Sequence, residues 1–178
     1  MVEDKFVGIA LRILQHQLRG ALEVDRGAAL LYEVRVDNRL MIRVDPSRPI
    51  RGQSAFQTDL CVFERVAPGV RIPRVVLEFK ASVTTHDILT YSAKARKHKQ
   101  IYPYLRYGLV ASKVLTVPGK YFVHNEALDF MLAAGAIVRS ALPDTLRKLL
   151  RKEVATSRRM EQLIFGSRTT ALIRTDVQ

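Results

Sequence analysis

The chain has 178 residues, 48% hydrophobic and 26% charged, which predicts one compact domain with its own core. Its 29 basic and 17 acidic side chains give a formal net charge of +12 at pH 7, an excess that favours a polyanionic partner such as nucleic acid. Cys61 is the only cysteine, which excludes an internal disulfide and a cysteine-rich zinc site and makes a reducing cytoplasm the expected location. No stretch has the pattern of a signal peptide or the roughly 18 apolar residues of a membrane span, so we expect a soluble protein. Aromatic residues are only 7% of the chain, which disfavours a single-strand binder built mainly on stacking platforms.

The first third of the chain shows a helical pattern followed by β-rich runs. Apolar residues recur at helical spacing and predict an amphipathic helix over residues 3–23. The β-rich runs 30–36 and 40–44 are joined by the turn-prone Asp37-Asn38-Arg39, which predicts a hairpin. Residues 45–54 hold two prolines and a glycine, so they are predicted to form a loop.

Two further strands and a helix follow in the middle of the chain. Strands are predicted at residues 55–64 and 74–81, and Pro68-Gly69 between them should reverse the chain. A helix is predicted over residues 86–102, because Thr84 or Thr85 can cap it and Asp87 suits its first turn. Pro103 disfavours helical geometry in the preceding residue and so ends it.

The last third of the chain continues the alternation of strands and helices. It predicts strands at 108–114 and 121–124, a helix at 126–134 that ends at Gly135, and a long basic helix after Pro143. The whole order predicts an α/β fold with a central mixed sheet flanked by helices.

Acidic residues on the two middle strands are predicted to meet. Side chains alternate along a strand, so Glu78 and Lys80 share a face. A reversal centred on Pro68-Gly69 places Asp59 opposite Glu78 and Gln57 opposite Lys80, with paired Cβ atoms about 5 Å apart. Two such carboxylates raise each other's pKa unless a cation lies between them, and their hard oxygens suit Mg²⁺. A bulge that shifted the register by one residue would put Asp59 on the wrong face.

Asp59 followed by Glu78-Phe79-Lys80, on adjacent strands between two helices, resembles the PD-(D/E)XK nucleases, the restriction-endonuclease-like superfamily. The resemblance covers roughly residues 3–114 and leaves 115–178 as a helical C-terminal extension. It implies that Asp59, Glu78 and the backbone carbonyl of Phe79 bind Mg²⁺, with Mn²⁺ as a substitute, and that Lys80 positions or activates the attacking water. Thr58 stands where that family has its nominal proline.

Some members of the family add a glutamate from the first helix. Glu3 and Glu23 are the candidates for that role here, and the spacing does not choose between them.

The resemblance also implies DNA as the substrate, and six residues are candidates for contacting it: Lys94, His98, Gln100, Ser82, Arg147 and Arg151. Lys94 and His98 lie four apart on one helical face, and Ser82 follows the motif at the expected edge of the cleft. Gln100 and Tyr104 match the Q-x-x-x-Y signature of one branch of these nucleases. The two arginines belong to a basic strip on the last helix. Solvated basic faces are the alternative for both helices.

The predicted function is a metal-dependent endonuclease that hydrolyses DNA, of restriction, repair or recombination type. A homodimer is expected, because two sites would then address two strands. Two alternatives stay open: a non-catalytic basic nucleic-acid-binding protein, and a nuclease of the same fold acting on branched DNA, as Holliday junction resolvases do, or on RNA.

Overall fold

The computed structural model describes residues 2–18 and 20–166. Its helices and strands, numbered in chain order, are α1 (Val2–Gln17), β1 (Leu22–Arg26), β2 (Ala29–Leu31), β3 (Ile50–Arg51), β4 (Ser54–Gln57), β5 (Leu60–Ala67), β6 (Val70–Lys80), α2 (Thr85–Ile101), β7 (Arg106–Ala111), α3 (Gly119–His124), β8 (Phe130–Ala133) and α4 (Leu142–Phe165).

A five-stranded sheet in the order β1-β5-β6-β7-β8 forms the centre of the fold. The pairs β1–β5 and β5–β6 are antiparallel, whereas β6–β7 and β7–β8 are parallel. One apolar cluster joins α1 and α4 to one face of this sheet, and a second cluster joins α2 and α3 to the other. The predicted α/β class, with a mixed sheet flanked by helices, is therefore confirmed.

The central strand β6 is covered on both faces, as expected when helices pack on each side of a sheet. Val75, Leu77 and Phe79 point towards α1 and α4, and Val76 points towards α2. Glu78 shares the α2 side with Val76, so its carboxylate lies within the protein and needs polar partners there.

The helix that follows β6 begins where the sequence indicates. The Thr84 hydroxyl accepts a hydrogen bond from the backbone N–H of Asp87, and the Asp87 carboxylate accepts one from the backbone N–H of Thr84. This reciprocal capping satisfies donors that the first turn of a helix leaves without partners. It fixes α2 next to the end of β6.

Two predictions for the first third of the chain are wrong. The first helix ends at Gln17, and residues 22–26 form β1, because they pair with β5 from Leu22↔Glu64 to Arg26↔Leu60. The hairpin of 30–36 and 40–44 is reduced to the short β2 and one isolated bridge, Val36↔Ile42.

The predicted strand 55–64 is interrupted before the site. It divides into β4 and β5, and β4 belongs to a separate three-stranded sheet in the order β2-β4-β3. The predicted loop 45–54 contains β3 and the start of β4. Gln57 is therefore in another sheet. The predicted pairing of Gln57 with Lys80 does not form.

Two elements near residue 130 have the opposite character from the one predicted. Residues 119–124 form the helix α3, whereas 130–133 form β8, an edge strand parallel to β7. Gly108 is paired with Phe130, and a Cβ at Gly108 would lie 2.0 Å from the Phe130 ring. That close contact across the sheet favours a strand over the local helical pattern. Gly135 lies in a short 3-10 turn and is not a helix C-cap.

Candidate active site

Asp59 and Glu78 meet at the edge of the β5–β6 pair. The ladder begins with Leu60↔Leu77, so Asp59 adjoins Glu78 in the predicted register. Two irregularities, at Val62/Phe63 and at Arg65/Ala67, shift the register in opposite directions and cancel. The bulges therefore do not move Asp59 to the wrong face.

Backbone hydrogen bonds hold the two carboxylates side by side. The N–H of Phe79 donates to Asp59 Oδ2 at 2.8 Å, and the N–H of Asp59 donates to Glu78 Oε2 at 3.3 Å. Asp59 is half-buried and Glu78 is buried. Each carboxylate is thus positioned by the chain segment that carries the other one.

Glu78 is 2% exposed and has two further partners on its other oxygen. Oε1 accepts hydrogen bonds from Lys94 Nζ at 2.6 Å and from the Tyr107 hydroxyl at 2.5 Å. Burial raises the pKa of Glu78 above its ordinary value, the negative charge of Asp59 raises it further, and Lys94 opposes both. Burial and the neighbouring Glu78 likewise raise the pKa of Tyr107 well above its usual value. Tyr107 therefore remains a hydrogen-bond donor to the carboxylate.

The sequence predicts that Lys94 contacts DNA phosphate. In the structure, Lys94 lies inside the site. Its ammonium bridges Glu78 and the carbonyl oxygen of Gln57, which is 2.7 Å away. Gln57 thus contributes to the site through its backbone, since its side chain accepts a hydrogen bond from Arg51. Lys94 thus places a positive charge from α2 beside the buried Glu78.

Lys80 stands at the end of β6 between α1 and α2. Its Nζ donates to Glu3 Oε1 at 3.0 Å and lies 5.6 Å from the centre of the Tyr91 ring. Burial alone would lower the pKa of Lys80, but its interactions with Glu3 and Tyr91 outweigh that effect and raise it above the ordinary value. Lys80 is therefore a stable cation.

Of the two candidate glutamates, only Glu3 lies at the site. Glu23 is in β1, not in the first helix, and forms ion pairs with Arg65 and Arg71. Contact with Lys80 makes Glu3 a neighbour of the proposed catalytic group.

Two cavities open beside these residues. One of about 340 Å³ is acidic and is lined by Glu3, Asp4 and Asp59 together with Val7 and Arg26. The other, of about 500 Å³, is lined in part by Lys80 and Lys94. A further cavity of about 530 Å³ lies against β1 and the β5–β6 turn and includes none of the predicted site residues.

The six candidates for DNA contact do not form one surface. His98 is fully buried, and its Nδ1 lies 2.9 Å from the carbonyl oxygen of Leu31. Burial lowers the pKa of His98 to about 4, although that carbonyl favours the charged form. A buried neutral imidazole does not reach a phosphate, so the predicted role of His98 is wrong.

The other candidates remain accessible to different extents. Ser82, Gln100 and Arg151 are exposed, whereas Arg147 is half-buried and pairs with Asp144 at 2.6 Å. The helix α4, which carries both arginines, packs on the opposite face of the sheet from α2.

The carboxylates fit a small hard cation, although they do not enclose one. Within residues 2–18 and 20–166, no group of three or more His, Cys, Asp and Glu side chains converges in a way that could hold a metal ion. Mg²⁺ is commonly held by one or two carboxylates, with water and substrate phosphate completing its shell. Asp59 and Glu78 offer that number of carboxylates, and the Phe79 carbonyl is the third oxygen that the sequence proposes.

Two residues of the site were not identified from the sequence, Tyr91 and Tyr107. Tyr91 belongs to a polar stripe on one face of α2, with Asp87, Lys94 and His98 at spacings of three and four. The spacing of these residues indicates that they share one face of α2, the face that points towards the strands. Tyr107 had no comparable signal, because its place beside Glu78 depends on the β6–β7 register.

Comparisons of the chain with known protein families and with curated proteins give no match. Across the described part of the chain, the helices are too short or too polar to cross a lipid bilayer.

Proposed function

We propose that this protein is a metal-dependent nuclease that hydrolyses DNA phosphodiester bonds, with Asp59 and Glu78 as its metal ligands. The observation that carries the proposal is the pairing of these two carboxylates through the backbone N–H groups of Asp59 and Phe79. Burying one acid beside another is costly unless positive charge compensates both. Of the two carboxylates, Lys94 forms an ion pair with Glu78 and not with Asp59, so a divalent cation next to Asp59 would complete the compensation.

The chain's own residues have distinct roles in the proposed reaction. Asp59 and Glu78 would hold the metal, and the Phe79 carbonyl would add a ligand. Lys80 keeps its proton, because its pKa is raised, so it orients the attacking water and stabilises phosphate charge but does not act as a base. Glu3 holds the Lys80 ammonium in place. The bound metal would stabilise the negative charge that develops on the phosphate.

DNA is the proposed substrate because the net charge of +12 favours a polyanion. The charge alone is equally compatible with a basic binding protein that does not cut. Such a protein has no need for a buried glutamate beside an aspartate and a lysine, so the site favours the nuclease. Two copies acting together would address both strands of a duplex, and analytical ultracentrifugation with and without DNA tests that assembly.

The proposal is tested by incubating the pure protein with linear, supercoiled, single-stranded and branched DNA and with RNA. Each is treated with Mg²⁺, with Mn²⁺ and with EDTA. We expect cleavage of DNA with either metal and none in EDTA. Tight DNA binding without cleavage of any substrate would instead identify a non-catalytic basic protein, and cleavage of RNA alone would reassign the substrate.

A further inference from the structure

A groove of about 500 Å³ runs between β4 and α2, beside the proposed active site. Its lining includes Phe56, Tyr91 and Lys97, in addition to Lys80 and Lys94. The proposed hydrolysis assigns no role to Phe56 or Lys97. The groove is therefore wider than the metal site requires.

Phe56 presents an aromatic ring to this groove in a fixed orientation. The side chain is 38% exposed, although it is large and apolar. Tyr32 stacks on one face of it with ring centroids 3.9 Å apart and an interplanar angle of 16°, and the His98 ring lies at 87° to it with centroids 5.9 Å apart. The strand that carries Phe56 leads within three residues to Asp59. A rigid exposed ring next to a catalytic group is suited to stacking against a planar ligand.

Lys97 adds a positive charge that has no partner among the described residues. It is exposed, and no residue within 2–18 or 20–166 forms a hydrogen bond or ion pair with it. Lys94 precedes it by three positions on the same helix and lines the same groove. The acid in this lining, Asp87, is engaged in capping α2 with Thr84. The groove thus combines an aromatic platform with uncompensated positive charge.

We propose that this groove binds one unstacked base of an unpaired nucleic-acid strand, with Phe56 against the base and Lys97 on an adjacent phosphate. The inference rests on the proposed function, because the same strand would continue past Lys80 to Asp59. A base inside a duplex is stacked on both sides and cannot enter the groove. The substrate class is therefore a single strand, or a duplex opened locally at the site. A single platform also agrees with the low aromatic content of the chain, and stacking on it tolerates any base.

Binding in EDTA tests the platform without requiring catalysis. The probe is a short fluorescein-labelled thymidine oligomer, measured by fluorescence anisotropy alone and as a duplex with its complement. Phe56→Leu should weaken binding of the single strand by about 5- to 150-fold, the usual effect of losing one stacked base, and leave duplex affinity within about twofold. Phe122→Leu is the matched control, since Phe122 is 72% exposed on α3, outside the groove, and this change should leave both affinities unaltered.

Two further variants address the folding of Phe56→Leu and the role of Lys97. Phe56→Tyr keeps an aromatic ring and should keep single-strand affinity. Lys97→Gln changes an exposed side chain, and should reduce the slope of log K against log salt by about 0.7 for the single strand. Equal single-strand binding by the parent, Phe56→Leu and Phe122→Leu would overturn the proposal, as would an equal loss on duplex. Because these measurements exclude metal, a protein that binds as described but never cuts would retain the groove and lose only the nuclease assignment.

Discussion

Replacement of Lys94 by methionine tests whether the buried carboxylate depends on this ammonium. Lys94→Met keeps most of the length and apolar stem of the side chain but removes the charge. The Lys94 side chain is 18% exposed and that of Glu78 is 2% exposed, so the pair is largely desolvated. Removing one partner of a buried ion pair costs on the order of 3–5 kcal/mol. Tyr107 still donates to Glu78, which places the expected loss near the lower limit, about 3 kcal/mol.

The loss should depend on pH with a definite sign. The pKa of Glu78 is already above its ordinary value of 4.5, and it rises further when Lys94 is absent. A carboxyl with a raised pKa in the folded state binds its proton more tightly there than in the unfolded chain. The destabilisation is therefore smallest below about pH 4.5 and increases as the pH rises through the folded-state pKa.

Urea unfolding followed by circular dichroism, at about pH 5 and pH 8 in EDTA, measures the loss of stability in Lys94→Met and its dependence on pH. Near pH 8 a loss of about 3 kcal/mol corresponds to roughly 6–12 °C in Tm for a chain of this size. Lys97→Met, three residues along α2 at an exposed position, should change stability by less than about 0.5 kcal/mol. A loss below about 1 kcal/mol for Lys94→Met, or one that is the same at both pH values, would refute the electrostatic role of Lys94.

Three other predictions follow from the same structure. His98 has a pKa lowered to about 4, so the stability that its neutral form contributes is present above pH 6.5 and is lost as the pH falls through 4, by about 3 kcal/mol. In urea unfolding, His98→Gln should lose less stability in acid than the parent does, and an equal loss in both proteins would contradict this. Saturating Mg²⁺ or Mn²⁺, at about 100 times its Kd, should stabilise the parent by about 2.7 kcal/mol, roughly 5–11 °C in Tm, with no such shift in Asp59→Asn. Duplex DNA affinity should fall steeply with salt because +12 charges imply several phosphate contacts, and a flat dependence would mean that the charge is not a binding surface.

The parts of the fold that could be predicted are those whose signals are local. The β-branched run of β6 and the capping residues Thr84 and Asp87 lie within the elements that they define. The register of β5 and β6 could also be predicted, since their two irregularities cancel before Asp59. These elements carry the proposed catalytic residues, which is why the pairing of Asp59 with Glu78 was accessible from the sequence.

The parts that could not be predicted depend on distant partners. Residues 22–26 continue the helical spacing of α1, but pairing with β5 makes them a strand. Residues 130–133 become a strand because Phe130 packs over Gly108 of β7. In the site, the contact of Lys94 with Glu78 likewise joins a helix to a strand. The charge of Lys94 favours a phosphate contact in the sequence, whereas in the structure Lys94 is largely buried and pairs with the Glu78 carboxylate.

Asp59 and Glu78 are proposed to act in cleavage and not in DNA binding. The two roles are separated by measuring the cleavage rate and the DNA affinity in EDTA for the same variants. Asp59→Asn and Glu78→Gln should each cut at least about a hundredfold more slowly, while binding stays unchanged or becomes tighter because an anion facing the phosphate is removed. Lys80→Ala should also stop cleavage and weaken binding slightly. Asp144→Asn, which removes an exposed carboxylate on α4, is the matched control and should cut like the parent. If the three site variants cut as fast as the parent, the proposed active site is wrong.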